Sequence, residues 1–217
     1  MDTLLLLGAT GLVGRATLAL ALEDAAIGRV IAPTRRALPS HPHLINPVID
    51  FDDPDFRIPE LRIDGVICAL GTTLRDAGSR DAFRRVDFDY PLQFARVAKA
   101  HGARVFALVS AMGASARSPV FYSRTKGELE QALREVGFES LVFVRPGLLG
   151  GQRARTRPME QWAQRVLGRM ERVQPRRWRV VPPEAVAQTL IAGVLQAPPG
   201  VYLIESQDIR SDQRRTL

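Results

Sequence analysis

The sequence predicts an α/β fold built on a doubly wound parallel sheet, and three observations carry that prediction. Short, almost unbroken apolar runs alternate with stretches of helical periodicity through residue 144, as expected of strands buried on both faces by crossover helices. The first run, Thr3-Leu4-Leu5-Leu6-Leu7, empties into Gly8-Ala9-Thr10-Gly11-Leu12-Val13-Gly14, where a helical pattern starts at once. Gly8, Arg35, Asp50, Gly71 and Ser110 all fall just after predicted strands, at the carboxyl ends where open parallel sheets bind ligands. Right-handed crossovers give 3-2-1-4-5-6 as the strand order of first choice.

Each element follows from its own pattern. Leu12 to Asp24 forms the first helix, with Leu12, Ala16, Ala19 and Leu20 on one face. Val30-Ile31-Ala32 is the second strand, followed by Pro33-Thr34-Arg35-Arg36. Three prolines and two histidines make Ala37 to Pro47 a loop. Val48-Ile49-Asp50-Phe51 reads as a third strand and Gly65 to Leu70 as a fourth, broken by Gly71-Thr72-Thr73. Phe83, Val86, Tyr90, Phe94, Val97 and Ala98 recur at helix spacing within Ser79 to Ala100. Arg104 to Ser110 holds the fifth strand, Val120 to Val136 a helix, and Leu141 to Val144 the sixth strand, stopped by Pro146-Gly147. Later, Thr156 to Val173 is amphipathic, with Met159, Trp162, Ala163, Val166, Leu167 and Met170 on one side. A further helix starts at Pro183 and runs through Val194, Val201 to Ile204 is a last strand, and a polar tail follows from Glu205.

Composition narrows the classes. The chain has 217 residues, 46% hydrophobic and 24% charged, enough for one well-buried soluble domain. The lone cysteine, Cys68, sits in an apolar run and reads as an inert core thiol. Asp2 stands where a signal peptide would be basic, and no run approaches a membrane span, so a cytoplasmic protein is expected. The net charge of +7 comes from arginine, with Lys99 and Lys126 the only lysines. Such a bias is a weak footprint for nucleic acid, which is not expected as a partner. His41, His43 and His101 show no ligand spacing, and no metal site is expected.

The glycine turn has a specific chemistry. Gly8 permits the tight turn, Gly11 lets the main chain approach a pyrophosphate, and Gly14 lets the helix lie against the strand. Free amides at the helix start then face the anion. After the second strand, where NAD-binding proteins place an acid, this chain has Arg35 and Arg36. Guanidinium groups suit a 2′-phosphate, so NADP is expected and NAD is the weaker choice. Residues 1–150 then form a dinucleotide-binding core, 151–204 a small C-terminal substrate-covering portion and 205–217 the tail of one Rossmann-type domain. Tyr122 and Lys126 lie one helical turn apart on one face. An ammonium beside a phenol favours the phenolate, lowering a pKa that starts near ~10, and equips Tyr122 to exchange a proton with a carbonyl or alcohol oxygen. Ser110 precedes Tyr122 by twelve residues at a strand end.

Together, Gly8 to Gly14, Ser110, Tyr122 and Lys126 resemble the short-chain dehydrogenase/reductase superfamily. The segments Val48 to Phe51, Cys68 to Thr73, Arg85-Val86-Asp87 and Arg145-Pro146-Gly147 are similar to its atypical members, the Tat-interacting-protein oxidoreductase group and bacterial relatives. The resemblance implies that Gly8, Thr10, Gly11, Leu12 and Val13 wrap the pyrophosphate. It places Asp50 and Phe51 at the adenine, Leu70, Gly71 and Thr72 on the adenosine side, and Pro146, Leu148 and Leu149 near the nicotinamide. Tyr122 becomes the proton donor or acceptor, Lys126 binds the nicotinamide ribose and tunes Tyr122, and Ser110 polarises a small-molecule carbonyl. Asp87 stands where many members support a proton relay with asparagine, leaving that relay open. Nine arginines between Arg153 and Arg179 suit either an anionic substrate or a solvated helix face.

The expected function is therefore an NADP-dependent oxidoreductase acting on a carbonyl/alcohol pair. A non-catalytic NADP-sensing module acting through a protein partner is the alternative. A nucleotide-sugar epimerase or dehydratase is less favoured, because such chains carry larger C-terminal portions. Oligomeric state stays open, with a homodimer through exposed helix faces as one option.

Overall fold

In the computed structural model, which describes residues 1–53, 62–150 and 180–209, seven parallel strands form one sheet in the order 3-2-1-4-5-6-7. The strands are β1 (Thr3–Leu7), β2 (Arg29–Ile31), β3 (Leu44–Ile45), β4 (Gly65–Cys68), β5 (Val105–Val109), β6 (Ser140–Arg145) and β7 (Gly200–Glu205). The predicted α/β class and Rossmann order hold, and β7 extends the sheet beyond β6.

Period-2 alternation sends each central strand to both faces. Leu5, Leu7, Val66, Cys68, Phe106, Leu108, Leu141 and Phe143 pack on one side with α4 (Tyr90–Ala100) and α5 (Phe121–Val136). Leu4, Leu6, Ile67, Ala107, Val142 and Val144 pack on the other with α1 (Leu12–Glu23) and α6 (Pro183–Gln196). Near-continuous apolar strands are what a sheet covered on both faces requires. Two short helices, α2 (Leu74–Ala77) and α3 (Arg80–Arg84), follow β4, each capped by a hydroxyl: Thr73 for α2 and Ser79 for α3.

Several elements differ from expectation for identifiable reasons. The face of α1 predicted from Leu12, Ala16, Ala19 and Leu20 is not the buried one; Val13, Gly14, Thr17 and Ala21 are, because helix and strand approach too closely for larger residues. The third strand is Leu44–Ile45, inside the predicted loop. Pairing lapses at Asn46-Pro47, where Asn46 spends its amide on Ala32 O and Thr34 Oγ1. It resumes only as an isolated Thr34–Val48 bridge. The predicted helix from Ser79 to Ala100 is interrupted by a π-turn at Arg85–Asp89, within which Asp87 is 1% exposed. Such turns are frequent at functional sites. Glu205 belongs to β7 and Ser206 is buried, so the expected tail does not start at 205. The predicted helix from Thr156 to Val173, with Met159 and Trp162, lies outside the described residues, as does the arginine-rich stretch Arg153 to Arg179.

Two glycines allow close main-chain approaches, Gly8 to the segment after β4 and Gly14 to the end of β1. Gly8 has φ +84°, and a Cβ there would stand 2.6 Å from the Ala69 backbone. A Cβ on Gly14 would fall onto the Gly8 carbonyl. Gly8→Ala combines left-handed strain with that backbone clash, and is expected to cost about 2–4 kcal/mol, read as a lower urea midpoint. Cys68 is buried, and burial pushes its thiol up to about 12. A thiol reagent at pH 8 is expected to leave the folded protein unlabelled and to label it fully in denaturant.

Candidate active site

The carboxyl ends of β1, β4, β5 and β6 open onto a cleft of about 380 Å³. Its wall brings together Gly11, Leu12, Val13, Leu70, Gly71, Thr72, Ser110, Tyr122, Lys126, Pro146, Leu148 and Leu149, twelve of the positions expected from sequence. A second compartment of about 240 Å³ is lined by Gly8, Thr10, Arg35, Asp50 and Phe51, with Thr34, Asp52 and Tyr90 beside them. Leu70 lines both spaces, so the two halves adjoin across the crossover point between β1 and β4, where such sheets take their ligands. Gly11 caps α1 without a side-chain bond, leaving the helix start able to receive an anion. Arg36 lines neither space; its carbonyl accepts the Thr34 hydroxyl at 2.6 Å.

At the inner end of the cleft, Lys126 is held by charge. Its Nζ lies 2.8 Å from Asp87 Oδ1, with side chains 4% and 1% exposed. The contact is a buried ion pair. Lys126 also donates to Val109 O at 3.5 Å, and Asp87 Oδ2 accepts the Thr72 N–H at 2.8 Å. Burial opposes the ammonium, but the Asp87 carboxylate, followed by Tyr122, outweighs it, and Lys126 sits above the usual lysine range. Tyr122 occupies the first turn of α5, 36% exposed, with its ring 5.6 Å from Phe83.

Ser110 follows β5 and donates its hydroxyl to Glu130 Oε1 at 2.6 Å. Glu130 accepts Arg145 through Nε at 2.9 Å and Nη2 at 2.6 Å, and Arg145 Nη1 reaches Glu205 at 3.0 Å. The bonds to Glu130, despite partial burial, raise the already high pKa of Arg145. Sequence reasoning missed Glu130, Arg145 as its partner, and the pairing of Asp87 with Lys126. The available signal was spacing: Tyr122, Lys126 and Glu130 recur every four residues along one helical face.

In the outer compartment Tyr90 donates to Asp52 Oδ1 at 2.6 Å, and burial with that bond pushes its phenol up to about 12. Phe51 packs against Tyr90 at 5.5 Å between ring centroids. Among the described residues no cluster of three or more His, Cys, Asp or Glu could hold a metal. No described helix is long and apolar enough to cross a membrane.

Fold and site together define a Rossmann-type protein with the fold of the short-chain dehydrogenase/reductase superfamily. The chain belongs within it to the family of the HTATIP2 and FMP52 proteins. It is 34% identical to protein HTATIP2 of Rattus norvegicus over 213 residues, covering 94% of this chain and 86% of that one. It is 35% identical to mitochondrial protein fmp52 of Emericella nidulans over 181 residues, covering 80% and 78%. No protein-family model matches the sequence. Among solved structures, a short-chain dehydrogenase family protein from Francisella tularensis superposes with a TM-score of 0.68 at 15% identity, covering 96% of this chain and 98% of its own. MoeE5, solved with UDP-glucuronic acid and NAD, gives 0.69 at 16%, covering 93% and 75%. These structures share the fold.

Two expectations are corrected by these findings. NADP with NAD as the weaker choice does not stand: several solved structures of this fold are in complex with NAD, among them MoeE5 and the UDP-glucuronic acid 4-epimerase of Bacillus cereus. The compartment itself explains the misreading, since Arg35 shares it with Asp50 and Asp52 and Arg36 lies outside it. The cytoplasmic expectation is overturned by fungal relatives that are named as mitochondrial. The features behind it bear on membrane insertion and secretion and leave the compartment open.

The Lys126–Asp87 pair generates a stability prediction. Asp87→Ala strands a buried ammonium and is expected to cost about 3–5 kcal/mol, whereas Asp87→Leu with Lys126→Met is expected to cost much less. Chemical denaturation of the three proteins reads the difference.

Proposed function

We propose that the protein is an NAD-linked oxidoreductase that passes hydride between the dinucleotide and an alcohol/carbonyl pair on a small molecule. The observation that carries this reading is the convergence of Ser110, Tyr122 and Lys126 on the cleft into which the Gly8–Gly14 turn opens. The start of α1, where Gly11 makes no side-chain cap bond, suits a diphosphate, and Gly8 and Gly14 keep the turn tight against its own main chain. Bound NAD would supply the hydride acceptor.

The remaining work falls to the chain. Amides of Gly8 to Val13 hold the diphosphate, Asp50 and Phe51 border the adenosine end, and Leu70, Gly71 and Thr72 line the passage between compartments. The Lys126 ammonium, kept charged and fixed by Asp87, holds the nicotinamide ribose. The Tyr122 phenol exchanges a proton with the substrate oxygen. Pro146, Leu148 and Leu149 give the nicotinamide end an apolar wall.

Calorimetric titration with NAD is expected to show one site per chain. In a panel of secondary alcohols followed by NADH absorbance, Tyr122→Phe is expected to lose at least about 100-fold in turnover while keeping its NAD affinity. Failure of NAD to bind, or undiminished turnover in Tyr122→Phe, would overturn the reading.

A further inference from the structure

The cleft offers a ligand no unpaired charge among its described lining residues. Its charged groups are Lys126 and Asp87, which stand 2.8 Å apart and meet each other's charge. Of its hydroxyls, Thr73 Oγ1 is engaged in accepting the Asp76 N–H at 3.0 Å. Beside Ser110 the lining continues as Ala111 and Met112, neither of them among the residues assigned to the dinucleotide. Met112 is half-buried, and its N–H donates to Pro146 O at 3.1 Å, which ties it to the segment after β6. The mouth is apolar as well. Of the eight large hydrophobics exposed among the described residues, Tyr122 and Leu148 line the cleft, and Leu74 and Val120 lie within two positions in sequence of a lining residue. A fifth, Val180, precedes Val181, which pairs with Leu149. Exposed apolar groups gathered at one place mark a binding surface.

We propose that the substrate of this cleft is an uncharged molecule carrying one oxygen function on an apolar frame, and that Met112 is a specificity-determining residue against which the frame packs. This rests on the oxidoreductase reading of the same cleft. A carboxylate or phosphate entering here loses its water and meets no cation in return, because the Lys126 ammonium is already answered by Asp87. A nucleotide sugar, with its diphosphate, is disfavoured on the same ground. An alkyl or aryl frame gains by leaving water for an apolar wall, and its single oxygen meets the hydroxyls of Ser110 and Tyr122. The unbranched thioether of Met112 adapts to the outline of the frame, so the wall selects by polarity more than by shape. Medium-chain secondary alcohols and their methyl ketones fit this description.

With NAD bound, a ketone has no hydride to receive, so its binding is read without turnover. NMR titration of NAD-loaded protein, followed on the acetyl methyl signal of the ligand, compares 2-pentanone, 2-heptanone and 2-nonanone. Affinity is expected to rise about threefold per added methylene. The probe 6-oxoheptanoate replaces the terminal methyl of 2-heptanone by a carboxylate, and is expected to bind at least about tenfold more weakly than 2-heptanone. Met112→Lys places a cation on the wall. It is expected to weaken 2-heptanone and tighten 6-oxoheptanoate, so that their affinity ratio falls at least about tenfold. General damage to the cleft weakens both probes alike and leaves the ratio unmoved. Affinity flat with chain length, no ketone binding, or a ratio unmoved by Met112→Lys would overturn the proposal. Equal or tighter binding of 6-oxoheptanoate to the unsubstituted protein would also overturn it, in favour of the anionic substrate that the arginines from Arg153 to Arg179 leave open. If the ketones bind as expected but 2-heptanol is not oxidised, the oxidoreductase reading falls and the ligand class stands. If NAD itself fails to bind, that reading falls too, and the same ketone series on the free protein decides the ligand class.

Discussion

A lysine and an aspartate, both sealed from water, tie α5 to the sheet. Lys126 comes from α5 and Asp87 from the π-turn before α4, and Asp87 also receives the Thr72 N–H beyond β4. Three chain segments far apart in sequence thus meet on one carboxylate. Neither charge is stable there alone, because a single buried ion is expensive to desolvate. The π-turn at Arg85–Asp89 carries Asp87 in the interior, where it meets Lys126. The position of Tyr122, one turn before Lys126 on the same helix, depends in turn on that anchor.

A second polar assembly, Ser110–Glu130–Arg145–Glu205, runs parallel to the first on the β6 side of the cleft. Between them α5 carries a cation into the cleft at Lys126 and an anion behind it at Glu130, one turn further along. The helix presents its polar stripe to the strand ends while Leu129 and Leu133 are packed into the sheet. Chemistry and packing are divided between adjacent faces of one element.

Much of this was legible in the sequence because it is local. Apolar strand runs, the glycine turn and the Tyr122–Lys126 spacing each reside within a dozen residues, and they sufficed for fold class, strand order and most of the cleft lining. What escaped depends on distant contacts. The true buried face of α1 is dictated by the closeness of β1, which favours Gly14 and Thr17 over leucine. The short β3 is fixed by what Asn46 bonds to, and Glu130 reads as an ordinary helix-surface acid until Ser110 and Arg145 are brought to it. The arginines after β2 misled because sequence shows two cations there, whereas only Arg35 enters the compartment and two carboxylates enter with it.

The near-absence of lysine has a consequence for chemical modification. Of the two lysines among these 217 residues, Lys126 is enclosed and ion-paired. Lys99, whose Nζ sits 5.6 Å from the Phe138 ring centre, is the partly exposed one. Guanidinium groups do not acylate under mild conditions. A protein this basic therefore offers acyl donors and amine-directed cross-linkers a single side-chain target, on the last turn of α4, at the opposite end of that helix from the cleft.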